Sequence, residues 1–357
     1  MRLLFELVGP QTEMAKEEAY GILDILGLNY SVISQDEFVL ALDVPGFEER
    51  HLERFAQRAG LIRTVSEYLL QGPSGNAGDF ETATGKQDIR SYVTERLSNE
   101  GPTTFGVRPK RMGGQQKELD ATDLAGNLGL IVKGQTGLQV DLANPDVWFD
   151  LIISSEIYFA RRLIDVERRM LEYRTGNYRP FFSPISLHPK YARACINIAR
   201  CKANFLDPFC GTGGFLLEGA TMGLKVFGSD LDPDMIGGSG KNLEGFDAKN
   251  FSLERLDVGD CGRWRSHPEF PEGGFDAIVT DPPYGRASTT MGEEAKGLYC
   301  RAFESLGPLL RPGGKLLMIL PEKNDSQLAK GNFILERTFD LYVHKSLTRY
   351  YSLFRTP

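Results

Sequence analysis

Cysteine is scarce in this sequence and poorly spaced for chemistry. The 357 residues hold five, at positions 195, 201, 210, 261 and 300. Their number is odd and no C-x-x-C occurs. Neither a disulfide framework nor a zinc site is therefore expected, and reduced thiols in a cytoplasm fit the pattern. No His/Cys cluster offers any other metal site. No apolar run approaches the ~20 residues that cross a bilayer, so no membrane partner is expected. At the start, Met1-Arg2-Leu3-Leu4-Phe5-Glu6 does not read as a signal peptide, because Glu6 interrupts the apolar run too early. Positive charge is also short, with 41 Lys and Arg against 48 Asp and Glu, a net charge of −7. A protein coated with nucleic acid over its whole surface is thereby excluded, but a local basic face is not. The length allows two or three domains.

The most informative residues present are Asp281-Pro282-Pro283-Tyr284, at the end of the apolar run Phe275-Asp276-Ala277-Ile278-Val279-Thr280. Two prolines end a strand, because neither can donate a backbone hydrogen bond. The loop then presents a carboxylate, the Pro282 carbonyl and an aromatic face. Two acceptors can hold the two N–H bonds of a planar amino group while a ring stacks on the base that carries it. A plain Pro-rich turn after a strand is the simpler alternative. Upstream, Asn204-Phe205-Leu206-Asp207-Pro208-Phe209-Cys210-Gly211-Thr212-Gly213-Gly214 reads as a strand entering a Gly-rich turn, with a helix starting at Phe215. Such a turn lets backbone approach a ligand and offers helix N-terminal N–H groups to an anion. Its spacing, G-x-G-G, differs from that of dinucleotide sites, which disfavours a nicotinamide dehydrogenase. A second strand, Lys225-Val226-Phe227-Gly228-Ser229-Asp230-Leu231-Asp232-Pro233, ends in carboxylates placed for a ribose hydroxyl pair. Asp232 also suits an N-cap. A third strand, Phe251–Asp260, has an acidic end at Asp257 and Asp260.

These motifs, in this order, resemble S-adenosylmethionine-dependent amino-methyltransferases of the Rossmann-like class. More narrowly, the chain resembles the tRNA guanosine-N2 methyltransferases that act at position 10 and carry an N-terminal THUMP RNA-binding module. Phe181-Phe182-Ser183-Pro184-Ile185-Ser186-Leu187-His188-Pro189-Lys190 adds to the likeness. The resemblance implies an α/β fold: a Rossmann-like sheet with a terminal antiparallel hairpin, preceded by an α+β ferredoxin-like and THUMP region. It implies S-adenosylmethionine as cofactor, held by Asp207, Pro208, Gly211, Gly213, Gly214, Asp230 or Asp232, and Asp260, with Asp257 an open alternative for adenine. Asp281, Pro282, Pro283 and Tyr284 would form the catalytic loop, and tRNA would be the partner. No protein partner can be assigned. A DNA or RNA adenine-N6 methyltransferase, or an inactive RNA-binding protein, are the competing readings.

Along the chain, residues 1–70 read as a small ferredoxin-like unit, 71–164 as the RNA module, 165–180 as a linker and 181–357 as the catalytic domain. The basic tip Arg108-Pro109-Lys110-Arg111 supplies the expected RNA contacts at Arg108, Lys110 and Arg111. The arginines at 168, 169, 174 and 179 are expected on an exposed connector. Gly237, Gly238 and Gly240 weaken the helix expected after the second strand.

Overall fold

A computed structural model describes residues 1–73, 77–94, 101–182, 186–284, 294–344 and 347–357. Ser183-Pro184-Ile185, Gly285 after the Asp-Pro-Pro-Tyr loop, and the last residues of the helix expected over Lys86–Leu97 lie outside the described residues.

One compact unit comprises Met1–Thr12, Leu28–Ala56 and Ile62–Val166. Its strands are β1 (Arg2–Leu7), β2 (Ser31–Gln35), β3 (Val39–Asp43), β4 (Ile62–Gly72), β5 (Thr104–Arg111), β6 (Gln139–Val140), β7 (Val147–Ile153) and β8 (Ile157–Asp165). They form one sheet in the order β2-β3-β1-β4-β8-β7-β5-β6. The boundary expected at residue 70 therefore falls inside a strand. β4 pairs with β1 on one edge and β8 on the other, and joins the two regions into one sheet. The sequence hides β4 because it is mostly buried, so its residues do not alternate cleanly between apolar and polar. β7 and β8 pair as an antiparallel hairpin. Phe149 stacks on Phe159 at 5.3 Å in the core beneath helix Ala121–Thr136, which Asp120 caps.

The second unit comprises Glu13–Gly27, Gln57–Leu61 and Glu167–Pro357. It therefore includes most of helix Thr12–Leu26, which the sequence reading assigned to the first 70 residues. Buried Glu18 explains that placement. It accepts hydrogen bonds from Gly60 N, Leu61 N and Asn197 Nδ2 at 2.8, 2.7 and 3.0 Å.

This unit is built on β9 (Asn204–Asp207), β10 (Lys225–Asp230), β11 (Phe251–Arg255), β12 (Phe275–Thr280), β13 (Leu310–Leu320), β14 (Ile334–His344) and β15 (Leu347–Arg355). The sheet order is β11-β10-β9-β12-β13-β15-β14. Neighbours among β9–β13 are parallel, and β15 runs antiparallel between β13 and β14, which is the expected terminal hairpin. Strand order reverses between β9 and β12. Ligands in such sheets sit at that switch point, outside the carboxyl ends of the strands. Asp207 ends β9, Asp230 ends β10, and Asp281 follows β12 directly. β11 stops at Arg255, so Asp257 and Asp260 belong to the following 3₁₀ segment rather than to a strand end.

Candidate active site

Hydrogen bonds join the strand tips. β9 and β12 pair in register at Leu206 and Ile278. Thr280 Oγ1 donates to Asp207 Oδ1 at 2.7 Å, linking the Gly-rich turn to the Asp-Pro-Pro-Tyr loop. The same Asp207 oxygen accepts Phe209 N at 3.2 Å, at the start of the turn. Asp230 takes Gly211 N at 2.9 Å on one oxygen and Asp232 N at 3.0 Å on the other, so it organises both the turn and its own loop. Asp232 accepts Asp234 N at 2.8 Å as the N-cap of helix Pro233–Gly245, so its carboxylate is already engaged.

The turn needs its glycines. Gly213 has φ 79°, and a Cβ there would stand 2.4 Å from Ser239 Oγ. Helix Gly214–Thr221 begins at the next residue and points its N-terminus into the turn. Pro208 stands at the start of the same turn, between Asp207 and Phe209.

Burial raises the Asp207 carboxyl to about 8, and the charges of Asp230 and Asp281 push the same way. Burial also raises Asp230. Carboxyl groups that raise one another's pKa suit a ligand that brings positive charge. Of the two adenine candidates, Asp257 is engaged: it accepts Gly259 N at 2.8 Å and pairs with Arg301. Asp260 is exposed at the start of the 3₁₀ segment.

At the Asp-Pro-Pro-Tyr loop, the Tyr284 hydroxyl donates to Asp281 Oδ1. Tyr299, on helix Ala295–Leu306, donates to the Pro283 carbonyl at 3.1 Å and fixes the loop. Pro282 is buried. Arg349, on β15, lies 3.7 Å from the other Asp281 oxygen. Burial raises the Asp281 carboxyl, and the Arg349 guanidinium opposes that rise. The sequence reading missed Arg349. Its signal was weak: a cation in an aromatic strand, two positions from Tyr351, on a face that the strand period buries.

The basic tip proves mostly internal. Lys110 pairs with Glu6 at 2.6 Å and Asp150 at 3.3 Å. Arg111 donates to the carbonyls of Gln115, Gln116 and Leu119. Only Arg108 is exposed, stacked 4.2 Å over the Trp148 ring. The connector is likewise not simply exposed. Arg174 and Arg179 are buried, 7% and 5% exposed, and Arg174 holds Glu218 at 2.7 and 3.0 Å. The signal for this was a lone acid, Glu218, in the apolar helix Gly214–Thr221, which demands cations. Among the described residues, no group of three or more His, Cys, Asp or Glu could hold a metal.

Known proteins match this architecture. Residues 176–350 fit the family of RMKL-like methyltransferase domains. A Methanothermobacter thermautotrophicus protein named tRNA (guanine(10)-N2)-dimethyltransferase is 31% identical over 353 residues, 98% of both chains. A Pyrococcus abyssi protein of the same name is 36% identical over 97% of both. The chain belongs to the tRNA (guanine(10)-N2)-dimethyltransferase family. Membership agrees with a Rossmann-like sheet that carries a Gly-rich turn and an Asp-Pro-Pro-Tyr loop at one switch point. The crystal structure of TrmN from Thermus thermophilus has the same fold, with a TM-score of 0.54 over 100% of both chains at 18% identity. This family member thus departs from its sequence reading mainly in where its arginines and lysines point.

Proposed function

We propose that the protein methylates the exocyclic N2 amine of guanosine 10 in tRNA, with S-adenosylmethionine as donor. The observation that carries this is the Thr280–Asp207 hydrogen bond of 2.7 Å. It holds the turn suited to the cofactor and the loop suited to the base at adjacent strand tips. Full-length kinship to tRNA (guanine(10)-N2)-dimethyltransferases supports guanosine over adenine.

The residues fit that cofactor. The three carboxylates favour its positive charge, and the Gly211–Gly214 turn offers backbone N–H groups to an anionic end. Asp207 and the turn, with Pro208 shaping it, would hold the methionine part. Asp230 would take the ribose hydroxyls, and Asp260 the adenine amine. When bound, the cofactor supplies an electrophilic methyl group on sulfur and retains the electron pair of the broken carbon–sulfur bond.

The chain's own residues handle the base. The guanine amine is a poor nucleophile, because its lone pair is delocalised into the ring. Hydrogen bonds from its two N–H groups to Asp281 and the Pro282 carbonyl make it pyramidal and aim the lone pair at the methyl carbon. Asp281 can then take the proton released from nitrogen. Pro283 stiffens the loop, and Tyr284 stacks on the base, which must leave its stem to reach the site. Residues 71–164 would act as a THUMP module that grips tRNA, and the setting would be cytoplasmic. Nucleoside mass analysis of unmodified tRNA incubated with the protein and labelled S-adenosylmethionine tests the proposal. N2-methylguanosine, with one methyl group or two, is expected. N6-methyladenosine as the labelled product would refute it.

A further inference from the structure

The arginines of residues 174–193 form a buried excess of positive charge beneath the Gly-rich turn. Glu218 is fully buried, and both its oxygens are taken. Arg174 donates through Nε and Nη2 at 2.7 and 3.0 Å, and Arg193 through Nε at 2.7 Å. Arg179 is the third guanidinium in this cluster. Its Nε donates to the Arg174 carbonyl at 2.9 Å. Its Nη1 and Nη2 are buried and have no partner among the described residues. Two guanidiniums thus saturate one carboxylate, and the third, Arg179, has no carboxylate partner among the described residues. Leaving charged donors unpaired in a buried site is costly, so such a group marks a place where an anion completes the structure.

The free end lies beside the Gly-rich turn. A Cβ built on Gly214 would stand 3.4 Å from Arg179 Nη1 and 3.8 Å from Nη2. The guanidinium therefore lies against the first residue of helix Gly214–Thr221, where the helix N-terminus already favours a negative group. The segment carrying Arg179 is held at this spot from both sides. Asn242 accepts Phe181 N at 2.7 Å, and its amide donates to the carbonyls of Phe181 and Thr212 at 3.0 and 2.9 Å. Thr212 is part of the turn itself. The glycines that weaken helix Pro233–Gly245 make room for the same segment. A Cβ on Gly238 would stand 2.1 Å from the Phe181 ring, and one on Gly245 would stand 2.6 Å from Pro180. Helix stability has been traded here for a fixed approach of residues 179–181 to the Gly-rich turn. Burial also depresses the Arg179 pKa, a strain that an anionic partner would relieve.

We propose that Arg179 is the anchor for the α-carboxylate of the methionine part of S-adenosylmethionine, gripping it with its two free Nη groups at the N-terminus of helix Gly214–Thr221. This rests on the cofactor reading above and adds a residue that discriminates the amino-acid end of the ligand. A planar guanidinium offers two parallel donors to a carboxylate, which an ammonium cannot match. Arg179→Lys should therefore restore only part of what Arg179→Met removes.

Calorimetry on the full chain tests it with two ligands: S-adenosylhomocysteine and its decarboxylated analogue, which keeps the adenosine, the sulfur and the amine. Wild type should bind the first about 10- to 100-fold more tightly, as expected for charge-assisted hydrogen bonds. Arg179→Met should lose that preference while binding the decarboxylated ligand as wild type does, and Arg179→Lys should fall between. Equal loss of both ligands in Arg179→Met would overturn the proposal, since a merely structural arginine would act that way. A wild-type protein that binds the two ligands equally would overturn it without any variant. A wild-type protein that binds neither would instead refute the cofactor reading, and this assignment with it.

Discussion

The Tyr284 hydroxyl donates to Asp281 Oδ1, so the ring assigned to the base occupies the carboxylate assigned to its amine. Without substrate, Asp281 is thus already satisfied on one oxygen and faces Arg349 with the other. In the proposed reaction, base entry would exchange the Tyr284 hydroxyl for the amine while the ring turns to stack. Tyr284→Phe removes this competitor and keeps the ring. It should retain turnover near wild type, whereas Tyr284→Ala should lose base binding, because base–aromatic stacking is worth ~1–3 kcal/mol. Steady-state KM for tRNA separates the two variants.

Asp281→Ala should lower the rate by roughly 10² or more, since one hydrogen bond to developing charge is commonly worth ~3 kcal/mol. Affinity for S-adenosylhomocysteine should stay nearly unchanged, because the proposed function gives the carboxylate to the base. Single-turnover kinetics and calorimetry on one preparation check both halves.

Arg349 should act through Asp281. Burial raises Asp281, and the groups that face it include Tyr284, Tyr351 and Asp207, none of which carries the positive charge that Arg349 supplies. Removing the guanidinium in Arg349→Met lifts the Asp281 pKa further. The carboxylate is the form that accepts hydrogen bonds, so the acid limb of the kcat–pH profile should move to higher pH. Arg349→Lys should move it less. An unmoved limb with a merely lower plateau would mean that Arg349 serves packing alone.

Asp207 supplies a second pH signature. Its carboxyl sits at about 8, so it is largely protonated at pH 6.5 and ionised above pH 8. A positively charged amino group attracts only the ionised form. Affinity for S-adenosylhomocysteine should therefore tighten between pH 6.5 and 8.5, and Asp207→Asn should flatten the trend. The raised pKa also sets the sign for stability. Between the ordinary carboxyl pKa of about 4 and 8, the folded protein binds more protons than the unfolded chain, so this residue's contribution to stability falls as pH rises through that window. Thermal melts of the ligand-free protein check the direction.

The basic tip separates into two kinds of residue. Arg108, exposed on Trp148, is the one placed to meet phosphate or base. Arg108→Ala should weaken tRNA binding and reduce the salt slope by ~1. Lys110 neutralises Glu6 and Asp150, both fully buried. Lys110→Ala should lower the melting temperature, at a cost of about 1–3 kcal/mol for the lost charge-assisted hydrogen bond, while Arg63 and Arg162 still pair with Glu6 and Asp150, and with little change in slope.

Backbone events set by local sequence were legible. Proline after Asp281, glycine at 211, 213 and 214, and carboxylates after apolar runs each dictate a backbone event within a few residues. Their placement at neighbouring strand tips follows from an alternating parallel sheet. Charge partners were not legible, because Lys110 meets Glu6 across more than one hundred residues and Arg174 meets Glu218 across 44. A run of arginines looks the same whether solvent or a buried acid answers it. The seam at β4 was hidden for a related reason, since a strand buried on both faces loses its alternating pattern. Helix Thr12–Leu26 also reads as local structure, although its Glu18 is answered by Asn197. A fragment starting at residue 181 would lack this helix, Arg174 and Arg179, so binding experiments belong on the full chain.

The proposed function requires the exocyclic amine of one guanine as the methyl acceptor. Two tRNA transcripts that differ only at position 10 test it most directly: one with guanosine, one with inosine, which is guanosine without that amine. Labelled methyl transfer should occur to the first and vanish with the second. Equal labelling of both transcripts would refute that function.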